Sequence, residues 1–184
     1  LVIGQRKEFG QTATLPHNLT MSFTGAAMLW VGWFGFNAGS ALAADGAAGM
    51  ALFVTHISAA TGALTWMVIE WLKFGKPSGL GAITGMVAGL ATITPASGSV
   101  GPAGGLLVGL AGGIICYYAT NYLKQTLKID DSLDVFPVHG VGGMVGTFLA
   151  GILVSSNLGI FSGNGLADGM TIGSQVGVQV TGIL

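Results

Sequence analysis

The chain has 184 residues, of which 51% are hydrophobic and 7% are charged, and its formal net charge is −1. Soluble domains carry about 25% charged residues, so this sequence lacks the charged surface that keeps a soluble fold dispersed. The same values exclude a disordered chain and give no sign of nucleic-acid binding. They predict a polytopic membrane protein. The 33 glycines predict closely packed helices, because small residues let helix backbones approach each other.

The basic residues predict which loops lie in the cytoplasm. All six lysines and arginines fall in three clusters, and the turns between the clusters carry none. The clusters are Arg6 with Lys7, Lys73 with Lys76, and Lys124 with Lys128. Loops rich in Lys and Arg remain on the cytoplasmic side of a membrane. We therefore expect the three basic loops in the cytoplasm and the three loops between them outside.

Six apolar segments predict membrane-spanning helices, each of which needs about 20 residues. The expected spans are 18–42, 46–72, 79–93, 101–123, 132–154 and a truncated 171–184. We interpret the chain as one all-α transmembrane domain, a helix bundle incomplete at both ends, because the sequence starts and stops within apolar runs. These runs are continuous rather than alternating, which argues against a membrane β-barrel.

Three residues predict local features of these spans. Thr14 is a candidate N-cap for the first span. Pro95 is expected to end the third span, because the residue before a proline avoids the helical conformation. Pro137 lies inside the fifth span, where it leaves the carbonyl of Leu133 without its usual donor.

His139 is the ionisable side chain inside the apolar run that follows the acidic start of the fifth span, and glycines surround it. On a helix, His139, Gly143 and Gly146 would share a face, whereas Gly142 and Gly146 form a GxxxG pair typical of helix packing. One interpretation is a buried histidine that is hydrogen-bonded to a neighbouring helix. We favour the other, in which His139 lines a narrow path through the membrane. An ionisable group at this depth is by default a candidate functional residue.

A second candidate site lies near the outer end of the first span. Trp33, Phe36, Asn37 and Ser40 would share one helical face. Aromatic rings and a hydroxyl at an outer mouth suit a small cation, because the ring faces attract positive charge and the hydroxyl accepts a hydrogen bond. An interfacial aromatic belt explains the same residues equally well, so the residues alone leave both interpretations open.

The remaining chemically active side chains favour structural roles. His56 is a second candidate pore histidine, but a hydrogen bond to a neighbouring helix is the simpler interpretation. Glu70 is expected to pair with Lys73 at i,i+3, and Cys116 to be a small buried apolar group. The carboxylates at 130–134 suit a helix start. The sequence contains no zinc-ligand spacing, nucleotide-binding loop or Ser/His/Asp arrangement, so we expect no metal, no cofactor and no enzymatic activity.

Three motifs resemble the ammonium transporter family (Amt/Mep/Rh). GWFGFNAGS at 32–40 is similar to the family's sixth membrane helix, TPASG at 94–98 to part of its eighth, and DVFPVHGVGG at 134–143 to its tenth. Within the last motif the family often has glycine where this chain has Pro137. The family has eleven membrane helices and forms trimers in which each subunit has its own pore. The resemblance covers essentially the whole chain and places it from the end of the fifth helix to the start of the eleventh.

The resemblance implies roles for individual residues. Phe36 resembles one of the two stacked phenylalanines that gate the pore, Ser40 the serine hydroxyl of the outer ammonium site, and His139 the second of two pore histidines. Trp33 is a further candidate beside the gate, without a separate role, and His56 matches neither pore histidine. The first pore histidine belongs to a helix that this chain lacks. We therefore expect His139 to face a glycine-lined groove with no second histidine in contact.

The resemblance also implies a function and its partners. Ammonium would be recruited at the outer aromatic and hydroxyl site and conducted through an apolar, histidine-lined pore in the cytoplasmic membrane. The transporter would be a homotrimer in the lipid bilayer, with a PII-type regulatory protein binding its cytoplasmic face. The alternatives are a facilitator for another small neutral solute and the membrane part of an ammonium sensor.

Overall fold

The computed structural model describes residues 4–7, 9–10 and 15–184. Within these ranges the chain forms helices joined by turns, without a strand. The long helices are α1 Leu19–Gly39, α2 Gly46–Phe74, α3 Gly79–Ile93, α4 Pro102–Asn121, α5 Gly142–Leu153 and α6 Ile172–Ile183. The all-α class predicted from the sequence is confirmed.

Short helices of other types extend or join these elements. A 3-10 turn at Thr94–Ala96 continues α3, π-helical segments at Tyr122–Thr126 and Phe136–Val141 follow α4 and precede α5, and a 3-10 turn at Gly159–Phe161 precedes α6. With these extensions, five helices of the described residues are long and apolar enough to cross a membrane. They are Leu19–Gly39, Gly46–Phe74, Gly79–Ala96, Pro102–Thr126 and Phe136–Leu153.

Side-chain caps fix where the first two helices begin. The Asn18 side chain accepts a hydrogen bond from the N–H of Met21 at 3.0 Å, and Asp45 accepts from the first N–H groups of α2. The candidate cap Thr14 lies outside the described residues. α2 ends at Gly75, whose φ of 76° is the left-handed conformation that favours glycine. These caps satisfy backbone groups that helix ends leave unpaired.

The end of α3 differs from the expectation in its geometry. The α-helix ends at Ile93, as the expected span has it, but Thr94 keeps a helical backbone with φ −50° and ψ −51°. The prediction that Thr94 avoids this conformation is therefore wrong. The chain instead tightens into the 3-10 turn with Pro95 near its start, where proline's missing N–H costs little. The Thr94 side chain thus stays on the surface of the helix.

α3 is the central helix of the bundle. Nine of its 15 residues are buried, and α2 and α4 pack against it. A Cβ atom at Gly89 would overlap the carbonyl oxygen of Ser58 on α2, and one at Gly112 on α4 would lie 2.5 Å from Oγ1 of Thr92. Ser58 Oγ also donates to the carbonyl of Gly89 at 2.8 Å. Glycine therefore sets the separation of these helices, as the composition predicts.

α1 lies at the edge of the bundle. Its buried residues are Ala26 and Asn37. The Asn37 amide donates to Thr55 Oγ1 on α2 at 3.0 Å, whereas Phe36 and Ser40 lie on the exposed side. The prediction that Asn37 shares their face is therefore wrong, because α2 packs against the side of α1 that carries Asn37 and leaves Phe36 and Ser40 uncovered. Asn37 anchors the outer end of α1 to α2.

The predicted pair between Glu70 and Lys73 is also wrong. The Glu70 carboxylate accepts hydrogen bonds from the backbone N–H of Ser78 at 2.6 Å and from its hydroxyl at 3.1 Å, because a helix start attracts negative charge. Lys73 Nζ lies 4.7 Å and 4.4 Å from the ring centroids of Tyr117 and Tyr118, where the ring faces attract its charge. These contacts tie α2 to the start of α3 and to α4.

Candidate functional site

His139 borders two recesses that approach it from opposite ends of the bundle. The first, here called the Thr94 recess, has a volume of about 320 Å³. Its lining comprises Trp33, Ala91, Thr94, Pro95, His139, Gly143 and Thr147. The second, the Asp134 recess, has a volume of about 370 Å³ and extends to the basic end of the bundle, where Arg6 and Asp134 line it. The exposed His139 side chain belongs to the walls of both.

The backbone that carries His139 is the π-helical segment Phe136–Val141. Pro137 lies inside it and is buried. Because proline has no N–H, it removes one α-helical hydrogen bond, and a π-helical turn is a common local accommodation at functional sites. The N–H of Phe136 donates to the Asp131 carboxylate at 2.7 Å, which holds the start of the segment.

The glycines near His139 differ in what they face. A Cβ atom at Gly146 would overlap the carbonyl oxygen of Thr92 on α3, and one at Gly142 would lie 3.0 Å from Thr92 Oγ1. Gly143 faces open space and lines the Thr94 recess beside His139. The GxxxG prediction of helix packing is confirmed. The prediction that Gly146 shares the face of His139 is wrong, because Gly146 is turned onto α3.

The indole of Trp33 lies against His139. Their ring centroids are 6.2 Å apart and their planes differ by 20°. Trp33 Nε1 donates to Thr94 Oγ1 at 2.8 Å, and that hydroxyl donates to the carbonyl of Leu90 at 2.8 Å. Trp33 also meets Phe36 edge-on, with centroids 6.1 Å apart and planes at 88°. One indole therefore contacts both the candidate gate and the candidate pore histidine.

Thr94 is the site residue that sequence reasoning missed. Its signal in the sequence is a hydroxyl next to a proline at the end of an otherwise apolar helix. Its hydrogen-bond partner Trp33 lies 61 residues away, so only the packing of α1 on α3 shows what the hydroxyl holds.

Phe36 and Ser40 lie farther along the exposed side of α1. Phe36 is 61% exposed and lines, with Trp33, a third recess of about 550 Å³. The Ser40 hydroxyl donates to the carbonyl of Phe36 at 2.8 Å, so its oxygen retains acceptor capacity. The structure thus brings Phe36 to Trp33 and leaves Ser40 exposed at the end of α1.

His56 packs against a different pair of rings. Its ring centroid lies 5.2 Å from that of Trp30 and 5.9 Å from that of Phe34. Its ring makes no hydrogen bond within the described part of the chain, so the bond to a neighbouring helix stays a prediction. The described contacts of His56 are aromatic ones with α1. The ring that faces His139 is Trp33 rather than a second histidine.

Ion pairs lie at the basic end of the Asp134 recess. Arg6 binds the Asp130 carboxylate through two side-chain hydrogen bonds of 2.8 Å and 2.7 Å. These bonds hold the pKa of Asp130 below its usual value. Lys124 Nζ lies 2.5 Å from Asp134. Burial raises the pKa of the Asp134 carboxyl, and Lys124 opposes this shift.

Comparison with known proteins places this arrangement in a family. A family model, the Ammonium Transporter Family, matches residues 1–184. The chain belongs to the ammonium transporter family. Ammonium transporter Amt1 of Archaeoglobus fulgidus is 46% identical over 163 residues, which cover 89% of this chain and 41% of the relative. The ammonium transporter of Bacillus subtilis is 42% identical over 169 residues, covering 92% and 41%. The resemblance inferred from the motifs is confirmed.

Solved structures of the ammonium transporter family share the fold. A structure described as a Sensor Amt Protein aligns with a TM-score of 0.85 at 29% identity, covering 99% of this chain and 44% of that protein. Mep2 of Saccharomyces cerevisiae aligns with a TM-score of 0.79 at 40% identity, covering 91% and 40%. This chain therefore corresponds to less than half the length of these relatives.

Proposed function

We propose that this chain forms part of a transporter that conducts ammonium or ammonia across a cell membrane. The observation that carries the proposal is the position of His139 between the Thr94 recess and the Asp134 recess. The curated relatives named above are ammonium transporters, which supports ammonium as the substrate and transport rather than enzymatic catalysis.

The pathway near His139 would disfavour a bare cation. Moving a charged ion into apolar surroundings costs several kcal/mol or more. Ammonium can give up a proton and pass as ammonia at a lower cost, whereas potassium has no proton to lose. One ring nitrogen of a neutral imidazole donates a hydrogen bond and the other accepts one, so His139 hydrogen-bonds ammonia or relays the released proton. Deprotonation then provides selectivity as well as passage.

The outer end of α1 is the proposed site of cation recruitment. The aromatic faces of Trp33 and Phe36 attract positive charge, and the Ser40 oxygen accepts a hydrogen bond from the cation. Phe36, exposed beside Trp33, gates entry to the Thr94 recess. The cation would therefore meet aromatic groups before it meets His139.

The charge distribution and the family support an orientation and an assembly. The basic end lies in the cytoplasm. The five long apolar helices cross the cytoplasmic membrane as a single transmembrane domain. Exposed apolar side chains such as Met28 and Val31 of α1, 71% and 67% exposed, require lipid or further helices as neighbours. The transporter is a homotrimer, and a PII-type regulatory protein binds its cytoplasmic face.

Ammonium uptake by the full-length protein with His139→Ala tests the proposal. His56→Ala is the matched control, because His56 also lies on an apolar helix against a tryptophan. We expect His139→Ala to lower uptake about a hundredfold or more, the lower end of the range that general acid–base groups contribute, and His56→Ala to stay within about twofold. Unchanged uptake and unchanged selectivity over potassium in His139→Ala would contradict the proposed role.

A second candidate function is the membrane part of an ammonium sensor. The fold similarity to the Sensor Amt Protein, with a TM-score of 0.85 over 99% of this chain, favours it. Proteoliposomes separate the two functions, because a sensor binds ammonium without sustained flux, whereas a transporter shows both. If another neutral solute is the cargo, its flux will not fall when ammonium is added in competition.

A further inference from the structure

We infer that Thr94 is a positioning residue for transport. Its hydroxyl holds the Trp33 indole against the ring of His139, and this fixed orientation sets how strictly the pathway excludes larger amines. The inference rests on the proposed function, because it assigns a role within the same site. The Thr94 hydroxyl is hydrogen-bonded to Trp33 and Leu90. Thr94 therefore acts on Phe36 and His139 through Trp33.

The hydrogen bonds of Thr94 have a fixed direction. The hydroxyl has one proton, which it donates to the carbonyl of Leu90 at 2.8 Å. Its oxygen therefore presents lone pairs to Trp33 Nε1, which donates at 2.8 Å. The helical backbone of Thr94 places the side chain on the face of α3 that meets α1. The indole is thus held by a helix other than its own.

A single indole orientation controls two contacts. Trp33 meets the candidate gate Phe36 edge-on and lies nearly parallel to His139. Trp33, Thr94 and His139 all line the Thr94 recess. If the indole N–H loses its acceptor, the ring can turn about its side-chain bonds, and the space beside His139 widens. Ammonium and methylammonium differ by one methyl group, so their uptake ratio reports this width.

Two conservative variants at Thr94 isolate the hydroxyl. Thr94→Val keeps the shape of the side chain and removes the acceptor, whereas Thr94→Ser keeps the hydroxyl. One methyl group in a fitted pocket is worth a discrimination of about tenfold or more. In the full-length protein we expect Thr94→Val to raise the ratio of methylammonium to ammonium uptake about tenfold, and Thr94→Ser to stay within about twofold of the unchanged protein. A purely structural defect would lower both fluxes together and leave the ratio unchanged.

Trp33→Phe provides a second route to the same test if Thr94→Val does not reach the membrane. It removes the indole N–H and part of the ring without touching Thr94, so it should raise the ratio at least as far as Thr94→Val does. The variant that carries both changes should have the same uptake ratio as the single variant with the larger change, because both changes break one hydrogen bond.

Three outcomes would overturn the inference. They are an unchanged ratio in Thr94→Val or Trp33→Phe, an equal defect in Thr94→Ser and Thr94→Val, and additive effects in the double variant. An unchanged protein that conducts neither amine would instead overturn the proposed function, and the inference with it.

Discussion

His139 and His56 make the same type of contact in two regions of the molecule. Each imidazole packs against a tryptophan of α1, with centroid distances of 6.2 Å to Trp33 and 5.2 Å to Trp30. The indole N–H of Trp33 is hydrogen-bonded to Thr94. That of Trp30 is buried without a partner among the described residues. His139 also borders two recesses, whereas the ring neighbours of His56 are Trp30 and Phe34.

The difference teaches that the aromatic contact does not distinguish the two histidines, whereas the packing around each contact does. His139 has a helix packed closely behind it through Gly146 and an open groove beside it at Gly143. Its tryptophan is held from a third helix by Thr94. These surroundings hold the ring between the Thr94 recess and the Asp134 recess. The contact of His56 with Trp30 and Phe34 has no such support from the indole N–H.

The largest expected effect concerns the packing behind His139. Gly146→Ala should destabilise the full-length protein by about 3 kcal/mol or more, because a Cβ atom there overlaps the carbonyl oxygen of Thr92. Gly143→Ala is the matched control and should change stability by less than about 0.5 kcal/mol, because its Cβ atom meets open space. Thermal unfolding in detergent measures both. Equal midpoints for the two variants would show that close packing does not fix the position of His139.

The same substitution in the two tryptophans should have different effects. Trp33→Phe should destabilise by about 1–2 kcal/mol, because it loses the hydrogen bond to Thr94 as well as ring volume. Trp30→Phe loses the same volume but also removes a buried unpaired donor, so its net effect should lie within about 0.5 kcal/mol of zero. Thermal unfolding measures the stability of both variants. Equal losses of stability would show that the hydrogen bond to Thr94 does not distinguish Trp33 from Trp30.

The smallest expected effect lies at the basic end of the recess that His139 borders. The pKa of Asp130 is lowered by its hydrogen bonds to Arg6, so the ion pair stabilises the folded state above the unfolded pKa of about 3.9. This contribution is lost as the pH falls through the lower, folded value. Asp130→Asn should therefore destabilise the folded protein at pH 7. The effect should be small because the Arg6 side chain is 45% exposed, and it should be smaller still below a pH of about 4. A pH-independent difference in unfolding midpoint would contradict this assignment.

The class of the protein and the positions of its helices could be read from the sequence. Long apolar runs with 7% charged residues have few alternatives to membrane helices, because the backbone must satisfy its own hydrogen bonds in hydrocarbon. The third span, expected at 79–93, is the helix Gly79–Ile93. The GxxxG pair at Gly142 and Gly146 predicted close packing, because spacing alone puts both glycines on one side of a helix. The family followed from motifs that need no structure to recognise.

The tertiary structure decided which side chains meet across the site. Trp33 and Thr94 are 61 residues apart, and the face that each presents depends on how α1 packs against α3. Glu70 accepts a hydrogen bond at the start of α3 rather than pairing with Lys73, because unpaired backbone N–H groups compete with a lysine for the same carboxylate. The Asn37 amide donates a hydrogen bond to Thr55 on α2, whereas Phe36 and Ser40 remain exposed. Local spacing limits the faces that a helix can offer, and only packing with its neighbours determines which of them lines a path.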